Sequence, residues 1–137
     1  MLEKHLVIYP SGELKWVELE RLPRYNCVYH GEEALSNEDI RKVIDCDCLE
    51  QVHTLIPNVV MVIDESGKIR RPPKVHNELA SRLYGGWHPR RIDDIVGIAV
   101  LFSLRPCNSL GELEWFPLSP AELAKVSLQM AFPIPAP

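Results

Sequence analysis

"IVGIAVLFSL", residues 95–104, is the most apolar segment of this 137-residue chain. It falls far short of the roughly 20 residues that cross a bilayer. It reads instead as the central strand of a sheet, with Gly97 marking a bulge or a close backbone approach. "NVVMVIDESGKI" (58–69) reads as its companion. A β-branched run enters the turn Asp64, Glu65, Ser66, Gly67, and a short return strand follows through Ile69 until Pro72 and Pro73 end it. "CLEQVHTL" (48–55) alternates as a further strand with neither face purely apolar. At the N-terminus, "HLVIY" and "LKWVELE" flank Pro10, Ser11, Gly12 and Glu13 as a hairpin, and one more strand is expected at "CVYH" (27–30).

Three helices complete the pattern. Ser36 caps the first, whose buried stripe is Ile40, Val43 and Ile44. Asn77 caps a short second helix, "ELASRLY", which Gly85 and Gly86 stop. Ser119, Pro120 and Glu122 form a capping box for the third, which buries Leu123, Val126 and Met130. The expected fold is therefore α+β: an antiparallel or mixed sheet of about five strands with about three helices. Residues 1–132 form one domain, and the proline-rich tail 133–137 is expected to fray.

Composition fits that reading. Hydrophobic content of 46% and charged content of 25% are ordinary for a globular domain. No secretory leader is legible, so a cytoplasmic setting is expected. Cys27, Cys46, Cys48 and Cys107 are expected to be reduced, and their spacing matches no zinc module. No metal or cofactor is expected.

Charge is unevenly placed. The chain carries −4, yet "KIRRPPKVHNELASRLYGGWHPRR" (68–91) holds seven basic side chains against Glu78 alone. Taking its +6 from the total of −4 leaves −10 on the rest. Arg82 has a plain role, since Glu78 lies four residues before it in the orientation that favours a helix-surface ion pair. Arg70, Arg71 and Lys74 precede the helix, and Trp87, Arg90 and Arg91 follow it. If the two arms converge, they make a cationic concavity in which guanidinium forks grip phosphate, Asn77 adds polar recognition, and Tyr84 or Trp87 stacks a base. A negative body around a positive patch opposes the extended contact that duplex nucleic acid needs and favours a compact anion. A charged face that merely keeps the chain soluble is the plainer account of the same residues.

Catalysis is not legible. Asp64, Glu65 and Lys68 superficially match a nuclease-like acidic pair with lysine, but a tight turn explains them, and metal-dependent cleavage needs carboxylates on rigid neighbouring strands. His53, His76 and His88 have no nucleophile setting.

The succession "IDCDCLEQVHT", "VVMVIDESGKI", "HNELASRLY", "DDIVGIAVLF" and "GELEWFPLS" resembles the domain-of-unknown-function family numbered 3846, over roughly residues 36–125. The shared marks are the turn Asp64, Glu65, Gly67, Lys68, the pair Asn77 and Ala80, and "IVG" at 95–97. The family occurs in phages, conjugative elements and their hosts. The resemblance implies a small accessory protein of a mobile element, working in the host cytoplasm, in a setting where products often counter host defence. The expected function is thus non-catalytic sequestration of a small phosphorylated or nucleotide ligand by a homo-oligomer, with Arg70, Arg71, Asn77, Arg82, Tyr84, Trp87, Arg90 and Arg91 as its site. The rival is an acidic protein that occupies a host defence or restriction protein through its negative surface.

Overall fold

The computed structural model of the chain describes residues 1–23, 33–86 and 93–137. The expected strand at 27–30 lies outside them. The order is β1 (Leu2–Ile8), β2 (Leu14–Pro23), β3 (Glu33–Leu35), α1 (Asn37–Ile44), β4 (Leu49–His53), β5 (Val59–Asp64), α2 (Glu78–Gly85), β6 (Ala99–Pro106), β7 (Leu113–Phe116) and α3 (Pro120–Met130). The fold is α+β as expected, with three helices and seven strands among the described residues rather than about five. The extra strands are short. β3 extends the sheet beside the end of β2, and β7 pairs with the second half of β6.

β6 is central, as its composition demands. Its first residues pair with β1 (Ile8↔Ala99, Val7↔Val100), its later ones with β7 (Ser103↔Phe116), and β5 lies along its other edge (Met61↔Leu101). The strand order is β3-β2-β1-β6-β5-β4, and every pairing is antiparallel among the described residues. Helices cover both faces. On one, Leu6, Ile8, Met61 and Leu101 pack with Leu79 and Leu83 of α2 and Val126 and Met130 of α3. On the other, Val7, Val60, Val62, Val100 and Phe102 pack with Ile40 and Ile44 of α1. All six residues of β5 are buried, which is why its sequence shows no alternation.

Two expectations are corrected. Residues after Asp64 do not return as a strand. Gly67 and Ile69 donate back to the carbonyls of Asp64 and Ser66, and Ile69 stays exposed. Local turns win there because Asp64 accepts from the Ser66 amide at 2.9 Å and both edges of β5 are already taken by β4 and β6. Nor is the C-terminal tail frayed: Ile134 packs on the α2/α3 core, and the Pro135 carbonyl accepts from Trp16 Nε1 at 2.8 Å.

Candidate functional site: a mixed-charge cleft beside the arginine arm

Asp64 organises the segment that follows it. At the end of β5 it is buried, and its carboxylate meets Arg70 Nε at 2.6 Å and Lys74 Nζ at 3.1 Å. Burial opposes its ionisation, but the Ser66 amide and the Lys74 and Arg70 charges outweigh that and hold its pKa below the usual value. Lys74 then reaches on to α1, donating to the carbonyls of Ile44 (2.8 Å) and Asp45 (2.7 Å). These are the orphan acceptors at the negative end of a helix, where an ammonium is favoured. Gly97 makes room for this lysine: its φ is +77, and a Cβ there would lie 2.8 Å from Lys74 Cδ. The close approach read from the sequence is therefore to a side chain of the arm.

Fastened in this way, Arg70 of the arm and the last turn of α1 border an open cleft of about 330 Å³. Arg41 and Lys42 enter from the helix and Arg70 from the arm, with Glu38, Asp45 and Asp47 around them. Arg41 makes no ion pair among the described residues, and the Lys42–Glu38 pair is long (3.7 Å) and exposed, so both cations keep donor capacity. Cys46 also lines the cleft. Burial pushes its thiol pKa up and Asp64 adds to this, against Lys74, Arg70 and Arg41, so it stays protonated and is a poor nucleophile. Beyond Lys74 lies a shallow apolar groove of about 570 Å³ that includes Ile44, Pro73, Val75 and Ile98.

The residues singled out by sequence go to different places. Arg70 lines the cleft; Arg71 is exposed and makes no hydrogen bond or ion pair among the described residues. Asn77 is fully buried, accepting from the Ala80 amide and donating to the carbonyls of Ile8 and Gly97, so its side chain serves the fold. Arg82 pairs with Glu78 at 3.4 Å and donates to the Met130 carbonyl at 2.8 Å, tying α2 to α3. Tyr84 faces a separate recess of about 140 Å³ with Glu50, Glu65, Lys68, Asp93 and Asp94. Trp87, Arg90 and Arg91 lie outside the described residues. No described cavity holds both Arg70 and Arg82. Sequence reading missed Arg41 and Lys42. Their only signal was a basic last turn on α1, and nothing local places that turn against residue 70.

Cys46, Cys48 and Cys107 are free thiols. Among the described residues no group of three or more His, Cys, Asp or Glu side chains is arranged to hold a metal ion, and no helix is long and apolar enough to cross a membrane. Comparison with family models, with curated proteins and with solved structures finds no match.

Proposed function

We propose that this chain is a non-catalytic binding protein for a compact phosphorylated ligand of the nucleotide class, held in the cleft between α1 and the arm. The observation that carries this reading is the meeting of Arg41, Lys42 and Arg70 from two separate segments at one cavity. Arg70 is aimed by Asp64 through its Nε, which pre-orders a guanidinium for phosphate. Acids and bases are balanced around the cleft, so recognition rests on fork geometry rather than on net potential. That favours a ligand with few phosphates over a long polyanion. In this reading the exposed Arg71 adds charge next to Arg70, while Asn77 and Arg82 maintain the scaffold.

The family resemblance supports a setting in a phage or other mobile element, in the host cytoplasm, with sequestration of a nucleotide defence signal by a homo-oligomer as the role. Calorimetry and native mass spectrometry against cyclic and linear nucleotides test it. Saturable binding of intact ligand is expected, weakened about tenfold or more by Arg41→Ala or Arg70→Ala, since one charge-assisted hydrogen bond is worth about 1.5–3 kcal/mol. Silence across the panel overturns it. A second reading, an acidic antagonist of a host defence protein, is favoured by the carboxylates Glu50, Glu65, Asp93 and Asp94 around one recess. One stoichiometric host protein retrieved by the chain, and lost on Glu50→Lys, would support that reading instead.

A further inference from the structure

On the α1 side of the sheet, ionisable groups are buried among aromatic rings where β1, β2, β6 and β7 come together. His5 of β1 is 1% exposed, and neither of its ring nitrogens has a hydrogen-bond partner. Its ring centroid lies 5.0 Å from that of Phe102, which in turn stacks on Trp115 of β7 at 5.0 Å. Nε2 of His5 sits 3.4 Å from Glu3 Oε1. That carboxylate is already engaged. Arg21 of β2, 5% exposed, gives Nη2 to Glu3 Oε1 at 2.8 Å and Nε to Oε2 at 2.9 Å. The same Nη2 donates to the Trp115 carbonyl at 2.6 Å, and the guanidinium lies 4.5 Å from the centre of the Phe116 ring. β2 and β7 do not pair as strands, so Arg21 supplies the described hydrogen bond between them.

We infer that this cluster is an acid-responsive clasp: a proton on His5 sets the imidazolium against Arg21 for the single carboxylate of Glu3, and β7 is released from β2. The proton comes from solvent and goes to a ring nitrogen; no other bond is made or broken covalently. With His5 neutral, one buried cation faces one buried anion. With His5 charged, two cations share that anion in a site without water's screening, a net charge the interior does not hold cheaply. The groups facing His5 are Glu3 from β1, Arg21 from β2, the uncharged Phe102 from β6 and Trp115 beyond it from β7. Among the described residues no other carboxylate is within ion-pair distance.

Burial holds the imidazole pKa down to about 4, Glu3 pulling it upward and Arg21 pushing it further down. A His5 freed by opening would titrate near its ordinary 6.5. Opening therefore becomes about tenfold more favourable per pH unit as pH falls from 6.5 towards 4. The clasp is independent of the ligand reading above, because it involves none of the cleft residues.

Hydrogen exchange on the full chain between pH 7 and 4.5, corrected for intrinsic exchange rates, tests it. Amides of 113–116 and 17–22 are expected to lose protection about tenfold per pH unit and to be less protected at every pH than 59–64, which exchange only through unfolding of the whole domain. His5→Gln keeps a neutral polar side chain and should flatten the profile. Equal slopes in wild type and variant would overturn the clasp, as would protection of β7 equal to that of β5 at every pH, which would be acid unfolding of the whole domain. Should the variant not fold, nuclear magnetic resonance of the wild-type His5 ring decides. Proton uptake that tracks β7 opening supports the clasp; ordinary titration with β7 still protected sinks it.

Discussion

Asn77 shows how one side chain can hold distant parts of the chain. Its oxygen caps α2, and its amide joins the end of β1 to Gly97 ahead of β6. Asn77→Ala removes a cap worth about 1 kcal/mol and leaves two buried carbonyls short of a donor at about 1–3 kcal/mol. Chemical denaturation should show a loss of about 3 kcal/mol. The cap was legible in the sequence, being a short polar residue before an apolar stripe. The second task was not, since nothing in "HNELASRLY" announces the carbonyls of Ile8 and Gly97. His5 belongs at the same scale. Its folded pKa, about 4, lies below its ordinary 6.5, so the unfolded chain binds the proton more readily. Stability is therefore full above pH 6.5 and falls as pH drops from there to about 4, by about 3 kcal/mol at most. Denaturant midpoints across that window, compared with His5→Gln, measure it. Asp64 and Glu122, whose pKa values are lowered, add a further loss at lower pH, as each is protonated.

Among the elements, α3 was the most legible because its signals are local. Ser119 accepts from the Glu122 amide at 3.1 Å, and Glu122 Oε1 accepts from the Ser119 amide at 2.9 Å. Structure adds that Glu122 also accepts from Ser103 and Arg105 of β6, which pins the helix start to the sheet. Ser119→Ala should therefore cost about 1 kcal/mol, and Glu122→Ala more, because Arg105 and Ser103 lose their carboxylate acceptor too. Thermal melts of the two variants order them. The arm was misread for the opposite reason. "DESGKI" has the letters of a hairpin turn, but whether a return strand forms depends on a free edge alongside, which no local pattern encodes. The convergence that matters at the cleft, residue 70 against α1, is likewise a long-range outcome, carried by Lys74 bridging Asp64 to Ile44 and Asp45.

At the scale of the molecule, the tail belongs to the domain. Removing residues 133–137 takes away the Ile134 contact and the Trp16–Pro135 bond. A loss of about 1–2 kcal/mol is expected, with a red shift of Trp16 fluorescence as its indole loses that acceptor. The central position of β6 has a consequence for biogenesis. Val7 meets Val100 and Val62 meets Val100, so one late segment is the keystone for strands made long before it. As the polypeptide leaves the ribosome, the β1–β2 hairpin can close early, but β5, apolar on both sides, waits for its neighbour through some forty residues of further synthesis. Nascent-chain lengths that stop short of residue 99 should be the ones that chaperones hold and that aggregate when they do not.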